Sequence, residues 1–213
     1  MKKIKLLVAS VFVSIAGTAT AQSGETDFRE NLRFGLKAGV NYSNVYDSRT
    51  EDFRADAKIG FAGGVFVAIP IGPYFGLQPE VLISQKGFKG QGSFLGSNYS
   101  FTRTTTYVDV PLQLAVKPSE FLTVVAGPQF SYLIKQKDEF NSPFVNTSHE
   151  EDFNNENIRK NIFGFVAGLD VNVKHLVLGA RIGWDISNNN GDGTSTTPRY
   201  KNTWIQGTIG FAF

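Results

Sequence analysis

The chain has 213 residues, which is enough for one domain with a packed core or for one small barrel and favours one domain over two. It contains no cysteine, so disulfides, thiol nucleophiles and cysteine-ligated metals are excluded together. Its formal net charge is only +2, and it has no basic stripe of the kind that a nucleic-acid-binding protein requires.

The first 21 residues have the three parts of a secretory signal peptide. Three lysines form a basic start, residues 6–16 are apolar, and residues 19–21 read Ala-Thr-Ala, a small-residue cleavage motif. The apolar run is about half of the roughly 20 residues that a membrane-spanning helix needs, so a signal peptide is favoured over a membrane anchor. We predict cleavage before Gln22, which removes three of the 21 basic side chains and leaves a net charge of −1 against 19 acidic ones.

After residue 30, apolar residues recur at every second position and show no helical period. In the segment 76–87, Leu77 and Val81 lie on one face, whereas Gln78 and Glu80 lie on the other. We predict eight β-strands of this kind, at residues 33–43, 58–69, 76–87, 106–116, 121–134, 162–173, 176–186 and 203–213.

Three prolines fall inside these predicted strands: Pro79, Pro111 and Pro128. Proline has no backbone N–H and cannot donate to a β-ladder. We therefore expect a β-bulge at each of the three positions.

The connections between the strands alternate in length. The short ones are "PIGPY", "KPSE" and "KH", whereas residues 44–57, 87–105, 135–161 and 187–202 are long and rich in Asn, Ser, Asp, Gly and Thr. An outer-membrane barrel has this layout, with short periplasmic turns, long external loops and an even strand number. Ten to twelve residues at about 3.3 Å each, tilted by about 40°, rise roughly 25–30 Å, which matches the apolar band of such a membrane.

The sequence therefore predicts an all-β fold, an eight-stranded antiparallel up-and-down transmembrane β-barrel with short periplasmic turns and long extracellular loops. In domain terms, we predict a signal peptide at residues 1–21 and a short periplasmic N-terminal segment at residues 22–31. The outer-membrane barrel domain then occupies residues 32–213.

A soluble barrel of the lipocalin kind would also alternate, with its apolar face around a ligand. Its other face would meet water and be dense in charged side chains, but here that face is mostly Gly, Ala, Gln and Asn. Aromatic residues also fall near both ends of the strands, as in the two interfacial girdles of a membrane barrel. They are Tyr42, Tyr132 and Trp184 at the long-loop end, and Tyr74, Phe75, Phe121 and Phe213 at the short-turn end.

A few charges of both signs lie on the face that would point into the barrel. A narrow lumen cannot hydrate them freely, and buried charges must be paired. The sequence therefore predicts an interior charge network made of Lys37, Glu80, Asp109, Asp170 and Arg181.

Four strand motifs resemble the PorT-type outer-membrane β-barrel family common in Bacteroidota: "LQPEVLISQKG" (77–87), "YVDVPLQLAVKP" (107–118), "AGPQFSYLI" (126–134) and the terminal "GFAF". The likeness covers roughly residues 31–213. It implies an outer-membrane barrel, usually without an assigned reaction; PorT itself takes part in a protein-secretion machinery. Members of the family often have Glu in the fourth strand, where this chain has Asp109, which keeps the charge on a shorter side chain.

The chain offers little for catalysis. Its two histidines, His149 in a predicted long loop and His175 in a predicted short turn, would fall at opposite ends of the barrel. A Ser-His-acid site of a lipid-modifying barrel enzyme needs its members within hydrogen-bond reach. Ser148, His149 and Glu150 form a local grouping that we interpret as a solvated loop. We predict no enzyme activity, no catalytic or metal-binding residue and no cofactor.

Three classes of function remain: a structural or binding barrel, a small-solute pore and a membrane enzyme. Eight strands leave an interior just wide enough for side chains, which disfavours the pore. We predict non-catalytic binding through the extracellular loops, with Phe140, Phe144 and Phe153 as candidate contacts. The alternative is a small-solute pore or a component of a secretion system.

The expected partners follow from the predicted location. They are outer-membrane lipids and lipopolysaccharide, the outer-membrane assembly machinery during insertion, and a protein or surface ligand that the sequence does not specify. Nucleic acid is not expected, because the charges are balanced.

Overall fold

The computed structural model describes residues 28–47, 55–94, 97–141, 146–151, 159–189 and 200–213. A short 3₁₀ turn, Phe28–Glu30, precedes nine strands. They are β1 (Arg33–Asp47), β2 (Asp56–Pro70), β3 (Phe75–Phe94), β4 (Ser97–Val116), β5 (Leu122–Asn141), β6 (Asn146–Glu151), β7 (Asn161–Val173), β8 (Leu176–Asp185) and β9 (Tyr200–Ala212). No helix in the described part of the chain is long and apolar enough to cross a membrane.

The strands close into a barrel. Each pairs antiparallel with its neighbour, β1 also pairs with β9, and β4 pairs with β5, so the hydrogen-bonded order returns to its start. Strand β5 pairs with β7 over Leu122–Tyr132 and with β6 over Gln136–Asn141, so β6 and β7 are two parts of one barrel strand. The prediction of an eight-stranded antiparallel barrel is confirmed.

Side chains sort between the two faces at every second position. In β8, Leu178, Ile182 and Trp184 are 41%, 49% and 36% exposed. Arg181 and Asp185 lie at the alternate positions of the same strand and are only 3% and 1% exposed. Apolar side chains therefore form an outward belt while polar side chains fill the inside, because closure satisfies the backbone and leaves side chains to sort by solvent. The predicted girdle residues are exposed at both ends of this belt.

The strands on one side of the barrel are longer than the sequence predicted. Residues 87–94, 97–105, 135–141 and 146–151, predicted as parts of long loops, continue β3, β4, β5 and β6. These stretches carry polar residues on both faces, as in the run Thr102–Thr106, so the period-two signal of apolar residues is lost even though pairing continues. The long connections are therefore shorter than predicted, and a paired sheet rises beyond the barrel.

The prediction of bulges at the prolines is wrong. The register on both sides of Pro79 is the same, with Gln78 opposite Gln113 and Leu82 opposite Asp109. The ladders through Pro111 and Pro128 are likewise unshifted. Each proline removes a single donor, and the surrounding ladder bonds hold the register.

Register shifts occur elsewhere, at two places near the long-loop end. One lies in β2 between Ala57 and Ala62. The other lies between β4 and β5, where Thr106 pairs with Lys135 but Tyr107 pairs with Leu133. Ile134 is therefore the extra residue of a bulge in β5.

Candidate functional site

An inner charge cluster lies in the lumen and contains four of the five predicted network residues. Lys37 Nζ lies 2.7 Å from Glu80 Oε1, and Arg181 Nη2 lies 3.6 Å from the same oxygen. Arg181 also donates two hydrogen bonds of 2.8 Å to the two oxygens of Asp170. All four residues are at most 5% exposed, and their two positive and two negative charges cancel.

Neutral side chains add further hydrogen bonds to the charged side chains of this cluster. Gln78 Nε2 donates to Glu80 Oε1 and to Asp170 Oδ2, both at 3.0 Å, and Arg181 Nε donates to Gln113 Oε1 at 3.1 Å. These bonds hold the charged side chains in one arrangement, which is the condition under which a buried ion pair is tolerated.

Asp109 does not join this cluster, so the single five-residue network predicted from the sequence is corrected to two clusters. Asp109 Oδ2 lies 3.0 Å from Nζ of Lys86, which is 1% exposed. The Lys86 ammonium also lies 3.8 Å from the centroid of the Trp204 ring and 5.0 Å from that of Tyr107, within cation–π range. We call Lys86, Asp109, Tyr107 and Trp204, together with Asp185, the outer cluster.

Lys86 was missed in the sequence although its position carries a signal. It continues the inward series Gln78, Glu80 and Ser84 by one step of two, just where the apolar alternation of the strand fades. Along β3 it lies six residues beyond Glu80, which is about 20 Å of extended chain. The two clusters are therefore separate layers of the lumen.

A layer of amides and hydroxyls lies between the two clusters. Asn41 Nδ2 donates to Ser84 Oγ at 2.9 Å, and Gln206 Nε2 donates to Asn41 Oδ1 at 2.9 Å. Asn41, Ser84 and Gln206 are 0%, 0% and 4% exposed. Side chains thus fill the lumen at three successive levels, as expected of an eight-stranded barrel.

At the short-turn end the lumen opens into a small cavity of about 30 Å³ that the sequence did not predict. Its lining includes Arg29, Arg33 and Lys117 as well as Gln78 and Asp170, so it adjoins the inner cluster. Lys117 Nζ donates to the carbonyl of Arg29 at 2.8 Å, which ties the 3₁₀ turn to the mouth of the barrel.

At the long-loop end, β3, β4, β5 and β6 continue as a four-stranded sheet that we call the outer sheet. Arg103 on β4 donates to both oxygens of Asp138 on β5, at 2.7 and 2.6 Å. Burial alone would lower the pKa of Arg103, but the hydrogen bonds and charge of Asp138 and the nearby Tyr200 oxygen raise it above its ordinary value. The Arg103 guanidinium therefore stays charged, and its contact with Asp138 stabilises the sheet.

Aromatic rings pack beside this ion pair. The Phe88 ring lies 6.0 Å from Phe101 and 5.4 Å from Tyr200, measured between centroids. Because Tyr200 belongs to β9 and the two phenylalanines to β3 and β4, these contacts fasten the outer sheet to the opposite side of the barrel mouth.

The predicted loop contacts fall in different places. Phe140 lies on β5 within the outer sheet, opposite Phe101 and Thr147, and is 37% exposed. Phe144 and Phe153 lie outside the described residues.

The two histidines lie far apart in the described part of the chain. His149 lies on β6 opposite Asp138, and His175 lies in the turn between β7 and β8 at the other end of the barrel. His175 Nδ1 is 2.8 Å from the carbonyl oxygen of Ala212, and its ring stacks on Phe211. Within the described ranges, no group of three or more His, Cys, Asp and Glu side chains is arranged to hold a metal ion.

A closed eight-stranded barrel with an outward apolar belt and a polar, filled interior defines the class of an outer-membrane β-barrel protein. The chain belongs to the outer membrane protein beta-barrel domain family, whose model matches residues 20–190. Its predicted membership of an outer-membrane β-barrel family is thereby confirmed, and its location is the outer membrane of a Gram-negative bacterium.

The chain is similar to several solved structures. One is Ail, the attachment invasion locus protein of Yersinia pestis, in complex with the heparin analogue sucrose octasulfate (16% identity, TM-score 0.48, 85% of this chain and 99% of that chain). Neisserial surface protein A gives 9% identity and a TM-score of 0.48 over 84% and 97% of the two chains. A major outer membrane protein from Thermus thermophilus gives 14% identity and a TM-score of 0.48 over 86% and 100%. No match is found among curated proteins.

Proposed function

We propose that this barrel is a non-catalytic binding protein that holds a protein or surface ligand through its outer sheet and the loops around it. The observation that carries the proposal is the difference in strand length. Strands β3, β4 and β5 have 20 residues each, whereas β8 has 10. Ten further residues at about 3.3 Å each, tilted by about 40°, carry the sheet roughly 25 Å beyond the apolar belt.

The outer sheet has the chemistry of a recognition surface more than that of a lipid contact. Lys137 and Glu139, which form an ion pair at 2.6 Å, are each 38% exposed. Phe140 follows them as an exposed aromatic residue among polar ones, the composition that contact hot spots favour. The Arg103–Asp138 pair pre-organises the sheet, which lowers the entropic cost of binding.

The filled lumen supports a barrel that does not conduct. A solute would have to displace the inner cluster, the Asn41 layer and the Lys86–Asp109 pair in turn, and each is held by hydrogen bonds or ion pairs. A small-solute pore and a secretion component remain the alternative functions that the experiment below would reveal.

We further propose how the protein reaches the outer membrane and what it contacts there. Residues 1–21 act as the export signal, and the outer-membrane assembly machinery inserts the barrel. Outer-membrane lipids contact the apolar belt, and lipopolysaccharide surrounds the base of the outer sheet. The four strand motifs favour a PorT-type protein of Bacteroidota.

Site-specific crosslinking in intact cell envelopes tests the proposal. A photoreactive residue at Phe140 or Thr147, both on the outer sheet, should give a defined adduct. The same residue at Leu112 or Ile209, which are 52% and 63% exposed on the apolar belt, is the matched control and should give lipid adducts alone.

A shortened variant separates binding from folding. Deleting residues 90–101 and joining Lys89 to Thr102 with Asn-Gly keeps the remaining ladder in register, because these two residues are paired. The variant should still migrate differently when boiled and unboiled, yet lose the adduct. An adduct that survives the deletion contradicts the binding role of the outer sheet, and steady conductance in planar bilayers would establish the pore instead.

A further inference from the structure

A turn at residues 185–189 lies at the outer end of the lumen and is held rigidly. Two of its backbone amides donate to the carbonyl of Phe163, at 2.9 and 3.0 Å. Asn189 N donates to the Tyr200 carbonyl at 3.1 Å, and the amide of Arg159 donates to the Asn189 carbonyl at 3.2 Å. The turn is therefore fixed to β9 and to the chain around β7 before any ligand binds.

This turn holds buried polar atoms that have no partner among the described residues. Asp185 and Asn189 are each 1% exposed. Asp185 Oδ2 accepts hydrogen bonds from Asn202 N and Nδ2, at 3.1 and 2.5 Å, but Oδ1 accepts none from the described part of the chain. Asn188 Oδ1 and both side-chain amide atoms of Asn189 are in the same situation. Buried groups of this kind are normally satisfied by water or by an ion.

The charge of the outer cluster points to an ion. The inner cluster is neutral, but the outer cluster sets one cation, Lys86, against two carboxylates, Asp109 and Asp185, all at most 1% exposed. The Lys86 ammonium is bonded to Asp109. Lys86 is therefore shared by two buried carboxylates, which leaves one negative charge in excess, and a water molecule at Asp185 Oδ1 would satisfy its hydrogen bonding without balancing that charge.

We propose that the turn binds a hard divalent cation of the Ca²⁺ type through Asp185 Oδ1, Asn188 Oδ1 and Asn189 Oδ1. These ligands come from positions i, i+3 and i+4 of one rigid turn, and carboxylate and amide oxygens are the donors that Ca²⁺ prefers, with water completing the shell. The backbone amide of Asn189 is bonded to Tyr200, and the side chain of Asp185 is bonded to Asn202, two residues further along β9. Both residues therefore lie against the same stretch of that strand.

The site has one carboxylate, so its affinity should be modest. Extracellular calcium modules bind with dissociation constants of about 10⁻⁴–10⁻³ M, and we expect this range. The bound ion would balance the charge of Asp185, at the place where the turn meets β7 and β9 below the outer sheet. This inference does not depend on the proposed ligand-binding function of that sheet.

The test uses the full barrel in a detergent free of lipopolysaccharide, after removal of metals with EGTA. Tb³⁺ should give luminescence sensitised by nearby Tyr200 and Trp204, and Ca²⁺ should displace it while raising the midpoint of thermal unfolding. Asp185→Asn should weaken Ca²⁺ at least tenfold in both measurements. Glu139→Gln, the same change of charge on the exposed outer sheet, should leave both unchanged.

Thermal unfolding in EGTA, without a bound metal, shows whether Asp185 is a metal ligand or a residue with a structural role alone. There Asp185→Asn should unfold at a midpoint no lower than that of the wild type, because it removes an uncompensated charge. If Asp185→Asn fails to fold, Asn189→Leu, which keeps the charge and the approximate size, should weaken Ca²⁺ several-fold. A wild type that does not respond to Ca²⁺, or a variant that responds as the wild type does, would mean buried water only and overturn the proposal.

Discussion

Replacing Arg181 with methionine should lower the free energy of unfolding by about 3–5 kcal/mol, because breaking a buried ion pair leaves an uncompensated charge. Arg181 donates two hydrogen bonds of 2.8 Å to Asp170 and lies 3.6 Å from Glu80. Without it, Lys37 faces two carboxylates and the inner cluster changes from neutral to net −1. Methionine keeps much of the side-chain volume, so the lost stability reflects the missing charge more than a loss of packing.

The measurement is reversible urea unfolding of the barrel in lipid vesicles, followed by tryptophan fluorescence. Domains are commonly stable by about 5–15 kcal/mol, so the expected loss is a large fraction of the total. Lys137→Met is the matched control, because Lys137 forms an ion pair with Glu139 in which both side chains are 38% exposed. An exposed pair of this kind contributes about 0–1 kcal/mol.

A double variant tests whether charge balance is the cause. Adding Asp170→Asn to Arg181→Met leaves Lys37 and Glu80, which balance each other at 2.7 Å. The double variant should therefore lose less stability than Arg181→Met and Asp170→Asn lose in sum. Strict additivity, or a loss below about 1 kcal/mol for Arg181→Met alone, would refute the idea of a coupled inner cluster.

Two further predictions concern the lumen and the outer sheet. A Cβ at Gly183 would overlap the Trp204 ring, so Gly183→Leu should lower the free energy of unfolding by about 1–3 kcal/mol and change the near-ultraviolet circular dichroism. Gly207→Leu is the control, because a Cβ at Gly207 would have no atom within 4 Å, and it should change neither quantity. Arg103→Lys replaces the bidentate contact with Asp138 by a single hydrogen bond, which should lower the free energy of unfolding by about 1.5 kcal/mol. Amide exchange in the outer sheet should then rise about tenfold without change in the belt, and unchanged protection would contradict the bracing role.

The sequence predicts which face each interior charge occupies but not which charges meet. Alternation alone places Lys37, Glu80 and Arg181 inside. Lys37, which is paired with Gly64 on β2, reaches Glu80 on β3 across that intervening strand. That contact depends on the stagger of three strands, and a one-residue slip in any of them would remove it. Asp109 was assigned to the wrong partners for this reason.

The outer parts of these strands were not predicted, because the alternation of apolar residues indicates contact with lipid and does not indicate strand pairing itself. In β5 the outward residues change from Phe130 and Tyr132, 46% and 42% exposed, to Lys135 and Lys137. Pairing with β4 continues across this change. A sequence pattern therefore locates the edge of the membrane in this chain, whereas the end of a strand has to be found from the structure.

The bulge at Ile134 lies at the level where the outward face changes from apolar to charged, and this coincidence bears on how the outer sheet forms. A bulge bends its strand and increases the local twist, so the strands above it need not follow the closed cylinder below. The sheet can then continue as an open structure, in which β6 pairs with β5 alone among the described strands. Open edges invite unwanted pairing, and polar or charged residues on such edges discourage it. The break in closure on which the proposed binding depends therefore also requires polar faces, and these polar faces are the reason why apolar alternation did not predict the outer strands.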